Sequence, residues 1–176
     1  MRKCLVLLPL LLLSASAFAQ QTPQVEVFGG YSNLWANINN SSFDMNGATG
    51  SVTENLNSWF GGTLDFSTHW GTENGFKTDM QTLTYGPVFS YRKSKNVVPF
   101  GHVLLGAVRG GPEYLDISKS EVRFGAYVGG GLDLKVTPRI ALRVIQADYL
   151  MNRFSAGTQD NLRLSAGVVF YLGKMK

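Results

Sequence analysis

The stretch that decides the fold reads Leu162-Arg163-Leu164-Ser165-Ala166-Gly167-Val168-Val169-Phe170-Tyr171-Leu172. Every second residue in it is apolar, and the residues between are polar, small or aromatic. Because successive side chains of a β-strand point to opposite faces, this period of two predicts a strand with one oily face. A helix would need a period near 3.6.

The same alternation recurs upstream, most clearly in residues 81–92 and 122–136. Counting such segments predicts eight strands, near residues 24–35, 43–54, 58–68, 79–92, 97–109, 121–136, 139–153 and 161–172. The second segment is the weakest, being rich in Gly, Asn, Ser and Thr. It is retained because bacterial single-chain barrels have an even number of strands. Pro87 lacks an N–H donor, so we expect a bulge there.

The connections between these segments alternate in length. Three are short, at 55–58, 93–96 and 137–139. Four are longer and polar, at 36–42, 69–78, 110–120 and 154–160. Strict alternation is expected when one end of a barrel faces the periplasm and the other faces outward. The pattern predicts an all-β, eight-stranded antiparallel up-and-down transmembrane β-barrel.

The first 19 residues have the pattern of a cleaved export signal. Arg2 and Lys3 precede an apolar run over residues 5–13, and Ala17-Phe18-Ala19 fits a small-x-small cleavage site. The apolar run is shorter than the ~20 residues of a membrane-spanning helix. We therefore expect residues 1–19 to be a signal peptide and residues 20–176 to form one barrel domain, in the outer membrane of a Gram-negative-type bacterium.

Composition excludes several classes of site. Cys4, the one cysteine, lies inside the expected signal, so the mature chain offers no disulfide or thiolate metal site. Removing Arg2 and Lys3 leaves 14 basic residues against 12 acidic ones, with no basic run suited to nucleic acid. No cofactor motif is present. Glu113, Asp116 and Glu121 could hold calcium loosely, but a solvated loop is the simpler interpretation.

Periodicity alone does not say which face meets lipid, because a soluble lipocalin-like barrel shows the same alternation with its oily face inward. Asp133 and Arg163 lie on faces that are otherwise rich in glycine. A charge facing lipid at mid-membrane costs up to ~2–4 kcal/mol. The strands also carry few Lys and Glu residues for a soluble exterior. The transmembrane arrangement is therefore favoured.

Three motifs make the chain resemble the OmpA/OmpX-type small outer-membrane barrels, the outer membrane protein β-barrel domain group. They are Val25-Glu26-Val27-Phe28-Gly29-Gly30-Tyr31-Ser32, Pro99-Phe100-Gly101-His102, and Gly129-Gly130-Gly131-Leu132-Asp133-Leu134-Lys135-Val136-Thr137-Pro138-Arg139-Ile140-Ala141-Leu142-Arg143. The resemblance covers the mature chain. It implies partnership with outer-membrane lipid and, during biogenesis, with the barrel-assembly machinery.

The end of the chain resembles the signal that this machinery reads, with Gly167, Phe170 and Leu172 as its elements. It departs from the usual pattern in that Gly173-Lys174-Met175-Lys176 follows instead of a terminal aromatic. The peptidoglycan-binding domain that follows the barrel in OmpA is not expected here.

The resemblance also implies an interior ladder of paired charges. Asp133 and Arg143 match one pair across the 137–139 turn, where antiparallel pairing would bring them together. A bulge near Val144-Ile145 would turn Arg143, Gln146 and Asp148 all inward. The expected interior polar cluster comprises Glu26, Asp65, Arg92, His102, Arg123, Asp133, Lys135, Arg143, Asp148 and Arg163. It fits either a narrow ion path or a salt-bridged core, and the core is favoured because so narrow an interior fills with side chains.

Two histidines without a recognisable nucleophile motif argue against an enzyme, since His69 falls in a predicted loop and His102 in a predicted interior strand. Aromatic residues fall near predicted strand ends, as expected for membrane-interface girdles; a ligand-stacking loop is the alternative. These are Trp35, Trp59, Trp70, Tyr91, Tyr114, Tyr149 and Phe154. The predicted role is structural, or interaction with a surface ligand through the long loops; the alternatives are a narrow pore and a soluble periplasmic binding barrel.

Overall fold

The computed structural model describes residues 22–38, 41–73, 76–112, 121–154 and 157–175. Its eight strands form a closed barrel in which each strand pairs antiparallel with the next, and the last pairs with the first. The strands are β1 (Pro23–Ile38), β2 (Ser41–Asn55), β3 (Phe60–Glu73), β4 (Phe76–Ser90), β5 (Val97–Pro112), β6 (Glu121–Thr137), β7 (Ile140–Phe154) and β8 (Gly157–Met175). The described residues contain no helix that could cross a membrane.

The predicted architecture is confirmed, including the weak second strand. β2 pairs with β1 in unbroken register from Val25 opposite Glu54 to Ile38 opposite Ser41. Its Gly, Asn, Ser and Thr residues carry little hydrophobic signal. Backbone pairing on both sides nevertheless holds them in the sheet.

The predicted long connections are too long. β3 continues to Glu73 and β4 begins at Phe76, so most of the expected 69–78 loop is paired strand. β7 likewise reaches Phe154, and β8 begins at Gly157. The sequence signal ends earlier because a strand extending beyond the lipid no longer needs an apolar outer face. The segment 113–120 lies outside the described residues.

Side-chain hydrogen bonds to the backbone hold the short connections. Asn57 Oδ1 accepts from the backbone N–H groups of Trp59 and Phe60, at 3.0 and 2.8 Å. At the last turn, Thr137 Oγ1 accepts from the N–H of Arg139 at 3.2 Å. Asn and Thr thus supply the local acceptors that fix these reversals.

A β-bulge lies at Val144 and Ile145, where it was expected. The register between β7 and β8 shifts between Arg143 and Gln146, and the β6–β7 register shifts at the same level. Both bulged side chains are exposed on the outside, while Arg143 and Gln146 on either side are buried inside. The extra residue therefore shifts the in–out alternation of the strand by one position, so that Arg143 and Gln146 both point inward. The bulge expected at Pro87 is absent, because β4 and β5 keep one register from Tyr85 to Val88.

The oily faces point outward. Large apolar side chains on the outer wall are roughly half exposed, among them Phe66 at 48%, Leu105 at 48% and Phe170 at 48%. The alternate positions are buried and largely polar or charged. A soluble lipocalin-like barrel would have the reverse arrangement, so that alternative is wrong.

The strands are strongly staggered around the barrel. Paired residues lead from Val27 through Val52, Leu64, Tyr85, Leu105, Ala126 and Met151 to Asp160. Asp160 lies ten residues before Phe170, the residue of β8 that pairs with Val27. This stagger corresponds to the usual tilt of about 35–45°, and eight strands leave an interior just wide enough for side chains.

Candidate functional site

The centre of the lumen is organised by Arg163, whose side chain is completely buried. Its Nε and Nη2 donate to Asp148 Oδ2 at 2.9 and 2.7 Å, and its Nη1 donates to Asp65 Oδ1 at 2.8 Å. Asp148 is the direct cross-strand partner of Arg163, whereas Asp65 reaches it from β3, across the barrel. The guanidinium also lies 4.6 Å from the centre of the Tyr127 ring. One arginine thus joins β3, β6, β7 and β8.

Asp148 accepts from two further side chains. His102 Nε2 lies 2.7 Å from Asp148 Oδ1, and Gln146 Nε2 donates to Asp148 Oδ2 at 2.8 Å. His102 and Asp148 come from β5 and β7, and Gly129 of β6 is the cross-strand neighbour of both. A Cβ at Gly129 would lie 2.1 Å from Asp148 Oδ1. The glycine therefore leaves room for the histidine and the carboxylate to meet.

Asp133 and Arg143 form a bidentate ion pair next to this centre. Arg143 Nε and Nη2 donate to the two carboxylate oxygens of Asp133 at 2.8 and 3.0 Å, and Nη1 donates to Gln146 Oε1 at 2.8 Å. The two residues pair directly between β6 and β7. The guanidinium lies between two aromatic rings, 4.3 Å from the centre of Phe28 and 4.1 Å from that of Phe100.

A third ionic group lies at the end of the lumen with the short connections. Arg92 Nη2 donates to Glu26 Oε1 at 2.5 Å, and Asn55 bridges the pair, donating to Glu26 at 2.8 Å and accepting from Arg92 at 3.2 Å. Arg123 and Lys135, the other two residues of the expected cluster, are half-buried on inward-facing positions of β6. Eight of the ten expected residues are therefore buried. Six of them belong to one network that is joined through Gln146, and Arg92 and Glu26 form a separate pair.

His69 is an interior strand residue, so its assignment to a loop is wrong. It lies in β3, fully buried, with Nε2 2.9 Å from Ser32 Oγ; Ser165 Oγ also donates to Ser32 Oγ, at 3.0 Å. His69 follows Asp65 by four residues, so it shares its inward face. That spacing could have located it, had the strand been extended beyond residue 68.

Apolar side chains cap the polar network on the side of the long connections. Six strands contribute to this apolar plug, and each member is at most 8% exposed. Its members are Leu34, Met45, Met80, Leu104, Val108, Tyr127 and Leu150. A smaller cluster of Phe28, Ala141, Val169 and Tyr171 lies toward the other end. The apolar plug therefore covers the network centred on Arg163 on the side of the long connections, while the Arg92–Glu26 pair lies at the opposite end of the lumen.

Sequence reasoning missed this plug and several polar members of the network. Ser32 and Ser165 have short uncharged side chains that look like ordinary strand residues, and Asn55 fell in the predicted 55–58 connection. The plug residues were indistinguishable from lipid-facing ones, because alternation does not reveal that the inner face changes from polar to apolar along a strand. In the described part of the chain, no group of three acidic or histidine side chains could bind a metal ion. Glu113 and Asp116 lie outside the described residues.

A closed eight-stranded barrel, apolar outside and ion-paired inside, is the architecture of small outer-membrane proteins. The family model described as "Outer membrane protein beta-barrel domain" matches residues 5–170. The chain belongs to this family. Membership implies the bacterial outer membrane. No curated protein sequence matches the chain.

Solved structures of small outer-membrane barrels share the fold. Neisserial surface protein A aligns with a TM-score of 0.72 at 16% identity, over 85% of this chain and 97% of that one. The attachment invasion locus protein Ail of Yersinia pestis, solved with the heparin analogue sucrose octasulfate, aligns with a TM-score of 0.57 at 19% identity, over 83% and 97%. The outer membrane protein AlkL aligns with a TM-score of 0.53 at 13% identity, over 92% and 95%.

Proposed function

We propose that this outer-membrane β-barrel is a closed scaffold that presents its extracellular connections to a partner, with neither a pore nor an enzymatic role. The observation that carries the proposal is the layered filling of the lumen. The apolar plug lies above an ionic network in which all eight buried members of the expected cluster are paired. Ion conduction needs a continuous wet or polar path, which dry apolar packing interrupts.

The buried histidines also fit a structural role. His102 is bonded to Asp148 and His69 to Ser32, and all four side chains are at most 6% exposed. A substrate could reach neither pair without displacing the packed lumen. The narrow-pore alternative would require the plug to open, and its signature would be conductance that changes in Asp133→Ala or Arg143→Ala.

The names of similar structures support a surface role, since one is a neisserial surface protein and another an attachment invasion locus protein. The heparin analogue bound to Ail is a polyanion, but the outward ends of this chain are acidic. The strand ends and long connections carry seven acidic residues, Asp44, Glu73, Asp79, Glu113, Asp116, Glu121 and Asp160. They carry five basic ones, Lys77, Arg109, Lys119, Arg123 and Arg153. A neutral or basic partner therefore fits this end better than a sulfated polysaccharide.

Cell attachment tests the proposed role. Bacteria producing the protein would be counted on cultured-cell monolayers and on immobilised heparin, beside bacteria in which residues 113–118 are replaced by Gly and Ser. We expect attachment to monolayers that the replacement reduces severalfold, with no retention on heparin. The matched control replaces residues 93–96, in a periplasmic turn, and should attach like the parent. Equal attachment by parent, loop replacement and vector-only cells would contradict a surface role.

The proposal also covers the segments that direct export and assembly of the chain. Residues 1–19, which lie outside the described residues, are assigned as the cleaved signal. Gly167, Phe170 and Leu172 are assigned as the assembly signal. Phe170 and Leu172 project from the outer wall of β8. Gly167 leaves no room for a side chain, because a Cβ there would lie 2.2 Å from the Gly29 carbonyl oxygen. Two exposed apolar side chains on the last strand are accessible to a recognising partner before the barrel closes.

A further inference from the structure

A groove of about 390 Å³ crosses the outer wall of β2, β3 and β4 near their periplasmic ends. Its lining includes Val52, Leu64, Tyr85 and Pro87, whose side chains project outward. Leu56 and Phe60, which flank the periplasmic turn between β2 and β3, also border it. Because this wall faces the membrane, the groove opens into the inner leaflet.

Gly62 borders the groove and leaves room for the Tyr85 side chain. Gly62 pairs with Glu54 on one side and with Pro87 on the other. The Tyr85 side chain extends over it, so a Cβ at Gly62 would lie 2.7 Å from the Tyr85 hydroxyl oxygen. The larger side chains of the neighbouring positions form the walls of the depression.

Glu54 gives this otherwise apolar groove a charge. Its side chain is exposed on the outer wall and borders the same depression as the Tyr85 hydroxyl. Within the described chain Glu54 forms no ion pair. Asp44 and Asp79, the other exposed acidic side chains described on this wall, lie toward the extracellular end. Glu54 is the next-to-last residue of β2, so its carboxylate lies near the periplasmic interface, at the level of lipid headgroups and not of the acyl chains.

We propose that this groove binds one inner-leaflet phospholipid with a primary-amine headgroup, that is, phosphatidylethanolamine. The ammonium donates hydrogen bonds to the Glu54 carboxylate, with the Tyr85 hydroxyl as a second acceptor. One acyl chain follows the apolar wall of Val52, Leu64 and Pro87. A choline headgroup carries no N–H donor, and a glycerol headgroup leaves the lipid anionic beside Glu54, so both should bind more weakly.

Trp59 reports occupancy of the groove, because its ring lies 5.6 Å from that of Phe60, which lines the groove. In a Trp35→Phe, Trp70→Phe background, Trp59 is the one tryptophan left in the chain. The protein is reconstituted in phosphatidylcholine vesicles with increasing fractions of lipid brominated on its acyl chains. Brominated phosphatidylethanolamine should half-quench Trp59 at a several-fold lower mole fraction than brominated phosphatidylcholine or phosphatidylglycerol. Equal quenching by all three lipids would overturn the proposal.

Substitutions test whether the preference for phosphatidylethanolamine arises in the groove. Glu54→Gln should remove the preference for ethanolamine, and Gly62→Leu, which fills the depression, should reduce it. Asp44→Asn, on the same wall but outside the groove, should leave it unchanged. A preference that persists in folded Glu54→Gln would contradict the assigned role of the carboxylate. If that variant does not fold, stepwise N-methylation of the lipid decides in the parent, where binding should weaken with each lost N–H.

Discussion

His102 on β5 and Asp148 on β7 meet inside the barrel, with 2.7 Å between Nε2 and Oδ1, across a strand that separates them. The intervening residue is Gly129, the cross-strand neighbour of both. The two side chains meet over Gly129, which has no side chain to separate them. Through Asp148 the contact continues to Arg163, Asp65 and Gln146. Four strands are linked through one carboxylate and one guanidinium.

Gly129→Ala should destabilise the barrel by about 1–3 kcal/mol, the usual cost of overpacking a filled interior. The new Cβ would lie 2.1 Å from Asp148 Oδ1 and 2.4 Å from the Ala147 carbonyl oxygen. Guanidinium unfolding in lipid vesicles, followed by tryptophan fluorescence, measures the change. Gly101→Ala is the matched control, because its nearest contact beyond its chain neighbours would be 3.6 Å away. Equal stability of the two variants would show that the glycine at position 129 is not required.

Arg163→Met should cost about 3–5 kcal/mol, because it leaves Asp65 and Asp148 buried without their shared cation. The same unfolding measurement applies. Adding Asp65→Asn and Asp148→Asn to Arg163→Met removes the uncompensated charges, so the triple variant should recover much of the loss. A triple variant less stable than Arg163→Met alone would contradict the account of the cluster as a set of mutually compensating charges.

Deletion of Val144 should be tolerated. With one bulge residue removed, Arg143, Gln146 and Asp148 still alternate with outward residues, and β7 pairs with β8 without a register shift. Deletion of Ala147 is the contrasting change, because the strand would then direct either Asp148 or Gln146 toward lipid. Folding is read from the change in gel mobility on boiling. Loss of the folded band in the Val144 deletion, or its retention in the Ala147 deletion, would refute the role assigned to the bulge.

The mature protein recovered from outer membranes should begin at Gln20. Intact-mass spectrometry and amino-terminal sequencing determine this directly. The physical basis is the short apolar run followed by the small-x-small site. A chain that retains Arg2 and Lys3 in the membrane fraction would refute the assigned signal.

The alternation of residues was enough to predict the barrel and its short turns, because one lipid-facing wall imposes a strict period of two. The strand number also needed the rule that bacterial single-chain barrels have an even number of strands. The alternation was not enough to find the outer strand ends, such as His69 to Glu73, since beyond the lipid the outer face is free to be polar. It also did not show that β4 and β5 keep one register past Pro87. Pairing on its other side, with Gly62, continues through the proline.

The charged interior residues could be selected because a charge on a lipid-facing position is unfavourable, which leaves the lumen as its location. It was harder to predict which of these residues pair with each other. Asp133 and Arg143 are neighbours across a tight turn, so their pairing follows from register. Arg163 and Asp65 are 98 positions apart and meet across the lumen. That contact depends on barrel closure and stagger, which strand periodicity alone does not specify.

Planar-bilayer recording of the purified, refolded protein tests the central claim that the lumen is closed. The apolar plug of Leu34, Met45, Met80, Leu104, Val108, Tyr127 and Leu150 lies above a paired ionic network. A closed lumen should give no stepwise conductance in symmetric potassium chloride, in the parent or in Asp133→Ala. Reproducible ion-conducting steps in the parent, altered in size or selectivity by Asp133→Ala or Arg143→Ala, would contradict it and identify the barrel as a pore.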